Sequence, residues 1–159
     1  MRHTISVLVE NRFGVLARVS GLFSARGYNI DSLCVAETED PAVSRMTVVV
    51  RGDDRVLEQI IKQLNKLVDT IEVVDLTQED HVERELVMIK VSGNSEVRTK
   101  IIEIANIFRA KVIDMGRDAM TVEVTGSEGK VQAFIDMMRP FEIKELVRTG
   151  KIAIARSPK

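Results

Sequence analysis

The chain has 159 residues, and its 23 Lys plus Arg against 24 Asp plus Glu leave a formal net charge of -1, which argues against a surface built to bind polyphosphate. With 45% apolar and 30% charged residues it has the composition of an ordinary globular protein, long enough to bury a sizeable core, which excludes a disordered chain. The single Cys34 excludes an internal disulfide and a thiolate cluster for zinc, and no apolar run approaches the roughly 20 residues of a membrane helix.

Met1 to Glu10 runs into Asn11 and Arg12 before any signal-type apolar core develops, so the expected location is cytoplasmic. Residues 3–10 alternate as a strand, and Val15, Leu16, Val19, Leu22 and Phe23 then recur at helical spacing. Gly27 stops that helix at a position that favours a left-handed residue. Residues 28–39 and 44–51 read as two strands joined by a turn at Pro41. In the next helix Val56, Leu57, Ile60, Ile61, Leu64, Leu67 and Val68 mark the buried face, with Asp53 or Asp54 as its cap. A strand over 70–76 completes a βαββαβ unit, and the charged stretch 78–85 is the expected linker.

The order then repeats. A strand over 86–92 leads to a helix with Val97, Ile101, Ile104, Ala105 and Phe108 inward, followed by strands near 111–116 and 119–125. Val131, Phe134, Ile135 and Met138 mark a last helix ended by Pro140, and one or two strands fill 142–156. Met46-Thr47-Val48-Val49-Val50-Arg51-Gly52 returns as Met120-Thr121-Val122-Glu123-Val124-Thr125-Gly126, identical at five of seven positions and displaced by 74. Ile30-Asp31 returns as Ile113-Asp114 at an offset of 83, which places nine extra residues near the Pro41 turn and sets Asn94 opposite Asn11 and Val97 opposite Gly14. The fold class is therefore α+β, two tandem ferredoxin-like βαββαβ units: residues 1–77, a linker over 78–85, and residues 86–159.

Such units serve many functions, so the residues must decide. His3 and His81 are expected to be solvated, at a strand start and in the linker, and no nucleophile, base or metal cluster can be assembled around them. One Tyr, five Phe and no Trp are too few for stacking on single-stranded nucleic acid, and no helix-turn-helix is evident. Met46, Met120, Met137 and Met138 are expected to fill core gaps, and Ile30, Leu33 and Val35 to belong to core or interface. Residues 127–159 carry seven basic against four acidic side chains, read first as a solvated face and second as a docking surface for an acidic partner.

The informative segment is Asn11-Arg12-Phe13-Gly14-Val15-Leu16, where the first strand turns into the first helix. A residue without Cβ lets another group approach the backbone, and the amides of a first helical turn attract a carboxylate. Asn11 and Asn29 both donate and accept hydrogen bonds, so an amino acid could be held between the first loop of one copy and the strand start of another. The same residues would also make a good turn and helix cap, and the residues alone leave both readings open.

The runs Asn11 to Val19, Gly21-Leu22-Phe23, Arg26 to Ile30 with Ser32-Leu33, Ser44 to Thr47, Gly52-Asp53-Asp54, Glu58-Gln59-Ile60, Lys66-Leu67-Val68, Glu83 to Leu86 and Val147 to Gly150 closely resemble the small regulatory subunits of acetolactate synthase, also called acetohydroxyacid synthase. The likeness is densest over residues 3–90. It implies an amino-acid-sensing ACT domain over 1–77, which also dimerises, and an ACT-like domain over 86–159, with no catalytic site. It further implies a homodimer, a thiamine-diphosphate-dependent catalytic large subunit that carries the transferase activity, and feedback inhibition by valine in branched-chain amino acid biosynthesis. Thiamine diphosphate, magnesium and FAD are expected in that partner only, with no nucleic acid or membrane involved. By the same likeness Asn11, Gly14, Val15, Leu16, Asn29 and Ile30 hold the effector. The competing expectation is a free-standing ACT sensor or a regulator of another enzyme, and the sequence does not rank valine against leucine or isoleucine.

Overall fold

The computed structural model describes residues 1–159 and divides into two compact units, Met1–Val82 with Lys151–Lys159, and Glu83–Gly150. The first contains β1 (Arg2–Glu10), α1 (Val15–Ala25), β2 (Ile30–Glu37), β3 (Val43–Arg51), α2 (Asp54–Lys66) and β4 (Thr70–Asp75). Its antiparallel sheet runs β2-β3-β1-β4, which leaves β2 at an edge. The second unit repeats the plan with β5 (His81–Ser92, its first two residues in unit one), α3 (Ser95–Ile107), β6 (Lys111–Met115), β7 (Ala119–Gly126), α4 (Glu128–Met138) and β8 (Ile143–Arg148), in the order β6-β7-β5-β8. Each is the ferredoxin-like arrangement expected from the sequence.

Local chemistry explains the boundaries. Gly27, at φ 68, closes α1 by donating from its amide to Ser24 O while the Tyr28 amide donates to Phe23 O, the two bonds of a Schellman cap. Asp53 caps α2, its carboxylate accepting from the Val56 amide at 3.0 Å. Val68 does not belong to that buried face: α2 ends at Lys66, the chain turns extended at Leu67, and Val68 is 92% exposed.

Each unit has its own core of twelve buried apolar side chains, so neither depends on the other for a minimal hydrophobic interior. With Val7, opposite Met46, matched to Val91, opposite Met120, the residues Ile5, Val7, Met46, Val48 and Val50 correspond to Ile89, Val91, Met120, Val122 and Val124 on the helix-facing side of the two sheets, while Val9 aligns with Gly93 and His3 with Val87. Phe108 meets Phe134 edge-on at 5.3 Å in the second core. The two units differ on the other face of their sheets. Val49 is wholly buried on β3, whereas β7 carries Glu123 at the matching position, half-exposed. A strand covered on both faces reads as a continuous apolar run, and one with a wet face alternates.

Four expectations change. Residues 78–85 are not simply a linker, because a short turn over Leu76–Gln78 is followed by β5 from His81. Charged side chains suit a strand with one solvated face once its backbone finds a partner. Part of that partner is β9 (Ile152–Ala155), and it also moves a domain boundary: Lys151–Lys159 belong to the first unit, with the Lys151 amide donating to Ser32 Oγ at 3.0 Å and the Arg156 amide to Asp80 O at 2.9 Å. His3 is buried rather than solvated, with Nε2 3.1 Å from Gly52 O, because it lies on the helix-facing side of β1. Met46, Met120 and Met138 fill the cores, but Met137 is 46% exposed on the outer side of α4.

Candidate functional site

The registers locate what one unit has and the other lacks. Gly14, the N-cap of α1, follows Val7 by seven positions, whereas Asn94, the N-cap of α3, follows Val91 by three. The strand-to-helix loop is thus four residues longer in the first unit. Met46 follows its β2 partner Val35 by eleven positions, and Met120 follows Met115 by five, so the first hairpin is six residues longer. The structural partner of Gly14 is therefore Asn94 and not Val97, and Ile113-Asp114 is no counterpart of Ile30-Asp31. A two-residue identity between strands of different length carries little register information.

The two elaborations meet. The Asn11 amide donates to Ala42 O at 2.8 Å and its Nδ2 to Pro41 O at 2.9 Å, tying the loop to the hairpin tip. Beneath this tie lies a cleft of about 280 Å³ lined by Val9, Glu10, Asn11, Arg12, Val15, Leu16, Val35, Ala36, Glu37, Ser44 and Met46. Its apolar wall comes from β1, β2, β3 and α1, and its rim carries Glu10, paired with Arg12 at 2.8 Å, and Glu37. Gly14 sits beside it at φ 82, a left-handed conformation that suits glycine. No side chain caps α1, and although the Val15 amide donates to Arg12 O at 3.4 Å, the amides that follow it in the first turn keep the partial positive charge of a helix start. In the second unit Asn94 Oδ1 accepts from the amides of Glu96 and Val97 at 3.0 and 3.3 Å, which fills the same role internally.

Of the residues expected from the sequence, Asn11, Val15 and Leu16 line the cleft, and Gly14 adjoins it through the helix start. Asn29 and Ile30 do not line it. They stand at the far end of β2, about 23 Å from Glu37 at the rise of an extended strand. Asn29 Nδ2 donates to Asp31 Oδ1 at 2.8 Å. Asp31 also pairs with Arg51 at 2.7 Å and Arg2 at 3.1 Å, and the Arg51 hydrogen bond holds its carboxyl below the usual carboxylate range. One copy of the chain thus separates the six residues into two groups.

Val35, Ala36, Glu37 and Ser44 are not among the residues expected to hold the effector, yet they form the hairpin wall of the cleft. Their signal in the sequence was the length of the segment around Pro41. A second cleft, about 450 Å³, lies in the second unit among Ser92, Gly93, Asn94, Val97, Asp118, Pro140, Phe141, Glu142 and Lys144, on the β8 side of β5. No three His, Cys, Asp or Glu side chains come close enough to hold a metal ion, and no helix is long and apolar enough to cross a membrane.

Comparison with known proteins gives one consistent result. Residues 5–72 match the model of the AHAS small subunit-like ACT domain, and residues 84–157 match that of the small subunit of acetolactate synthase. A protein of Archaeoglobus fulgidus described as a probable acetolactate synthase small subunit is 59% identical over 159 residues, covering 100% of this chain and 99% of that protein. One from Aquifex aeolicus is 51% identical over 98% of this chain and 81% of its own length. The crystal structure of the acetolactate synthase small subunit from Thermotoga maritima superposes with a TM-score of 0.91 at 41% identity, covering 100% of this chain and 99% of that one.

Proposed function

We propose that this chain, which belongs to the acetolactate synthase small-subunit family, is a regulatory subunit that binds a catalytic large subunit, raises its activity and makes it subject to inhibition by valine or another branched-chain amino acid. The chain itself is not the catalyst. Thiamine diphosphate, magnesium and FAD belong to the partner in this reading, and the cell compartment is the cytoplasm.

The observation that carries the reading is the cleft made by the two elaborations of the first unit. An effector of this class has a carboxylate, an ammonium and a short branched apolar side chain. The uncapped start of α1 suits the carboxylate, and Val9, Val15, Leu16 and Val35 suit the apolar side chain. The division of the six residues along β2 favours a two-fold dimer. If β2 pairs antiparallel with its own copy, the Asn29-Ile30 end of one protomer comes beside the Val35–Glu37 end of the other, and both groups complete one site. β2 is an edge strand without proline, and Val35 is 38% exposed on it. A ligand at such a junction can shift the partner's activity only by favouring one arrangement of the two copies over another.

The test is reconstitution. The purified chain is mixed with a catalytic acetolactate synthase subunit and the rate is followed with and without valine. A higher rate on mixing that falls again with valine is the expected result. A stable dimer that neither binds the catalytic subunit nor changes its rate would instead mark a free-standing sensor.

A further inference from the structure

The fourth residue after the N-cap is an arginine in both units, Arg18 in α1 and Arg98 in α3, and the two side chains go to different places. Arg98 donates from Nε to Gly93 O at 3.3 Å and from Nη2 to Arg117 O at 2.8 Å and to Gly116 O. Those carbonyls belong to the end of β5 and the β6–β7 turn, the corner that corresponds to the cleft of the first unit. A guanidinium occupies that corner in the second unit. Arg18 turns the other way, donating from Nε at 3.1 Å and Nη2 at 2.5 Å to Asp69 Oδ2, just before β4. Asp69 is 5% exposed, and the corner remains open as the cleft.

The second unit has no buried acid in that place. Asp69 O accepts from the Glu10 amide, which matches Asn94 in the register that sets Val7 on Val91, whereas the acid that leads into β8 is the exposed Glu142, whose O accepts from the Ser92 amide two positions earlier. Glu142 sits there at φ 63 with its carboxylate 3.4 Å from Ser92 Oγ, and Arg98 goes to the carbonyls. A buried carboxylate outcompetes neutral carbonyls for a guanidinium, because charge-assisted bonds are stronger and an unpaired buried charge is unfavourable. The acid at position 69 therefore selects where Arg18 rests. Gly14 fits this arrangement, since a Cβ there would stand 3.1 Å from Arg18 Nη1.

We infer that Asp69 is a positioning residue of the effector site: it holds Arg18 away from the cleft, and without it Arg18 closes the cleft by donating to the Val9 and Ala36 carbonyls, as Arg98 does in the second unit. This rests on reading the cleft as the effector site. Its test is calorimetry with valine on the full chain, comparing wild type, Asp69→Asn and the double variant Asp69→Asn/Arg18→Met, together with a crystal structure of Asp69→Asn. The single variant is expected to weaken valine binding by roughly tenfold, the scale of one charge-assisted hydrogen bond, and the double variant to recover it. A purely structural role for the ion pair would leave both variants equally weak, because both lack it. That result, or unchanged affinity in Asp69→Asn, overturns the proposal. Should Asp69→Asn not fold, Asp69→Ser takes its place in the same comparison. If the wild type binds no valine, the effector reading fails on its own, and the crystal structure then decides: the Arg18 guanidinium on the Val9 and Ala36 carbonyls supports the switch, and a guanidinium in solvent overturns it.

Discussion

The two units share strand order, helix positions and the registers of their central strand pairs, yet their clefts differ: the first is walled by the β2–β3 hairpin over Val35–Glu37, whereas the second opens toward β8, with Asp118 the hairpin's contribution. In the second unit that corner is crossed by a shorter loop and filled by Arg98. Registers persist because a one-residue slip would turn every core side chain to the wrong face. Loops at the sheet's end carry no such constraint, so four more residues in one and six in the other are enough to give the first copy a cleft walled by its hairpin.

Core truncation should separate the units most strongly. Phe23 and Phe134 are both buried, in different cores, and Phe→Ala at either should cost about 3–5 kcal/mol. Hydrogen exchange should show lost protection mainly in the unit that carries the change, with valine binding lost in Phe23→Ala and retained in Phe134→Ala. Equal loss of protection across both units in either variant would mean that they unfold as one.

Substitution at the helix starts should separate them next. Gly14 is left-handed, so Gly14→Ala should lower stability by about 1–2 kcal/mol. Gly14→Asp should be tolerated slightly better, since Asp visits that region more readily, but should bind valine more weakly by several-fold to several hundredfold, given roughly 1–4 kcal/mol of repulsion from the effector carboxylate. Calorimetry and thermal melts separate the two effects. The second-unit counterpart, Asn94→Ala, should cost about 1 kcal/mol through the lost cap and leave valine binding unchanged.

A smaller effect is expected at Asn11→Ala, which removes the bond to Pro41 O and should reduce stability by about 1 kcal/mol while loosening the hairpin wall. A few-fold rise in the valine dissociation constant would follow. Asp31 gives the smallest effect. Its carboxyl titrates below its ordinary value chiefly through the Arg51 hydrogen bond, so its stabilisation is complete above the unfolded value near 4 and is lost as pH falls through the lower folded value. Melts of wild type and Asp31→Asn should differ slightly at pH 7 and converge in acid, with the exposure of Arg51 limiting the difference.

The hydrophobic periods made the βαββαβ order and the helix ends legible, because Gly27, Asp53 and Pro140 have local roles that do not depend on distant contacts. The Met46 and Met120 segments aligned correctly for the same reason: both are core strands. The covered second face of the first sheet was written in Val49 against Glu123, although strand alternation alone did not single it out. The return of Lys151–Lys159 to the first unit was not legible, since it depends on Ser32 and Asp80, more than seventy residues away. Nor was the different resting place of two arginines at the same helix position, because a side chain's choice among acceptors is decided by tertiary structure. Asn11 and Gly14 stood out by residue type, while the hairpin wall over 35–37 is ordinary strand sequence.

The central claim is that the first unit holds the effector and the second does not. Hydrogen exchange of the full chain with and without saturating valine tests it most directly. The account predicts added protection over Glu10–Leu16 and over Asn29–Glu37, with no change over Ser92–Arg98. Valine-dependent protection at Ser92–Arg98, with none at the first loop, would contradict it.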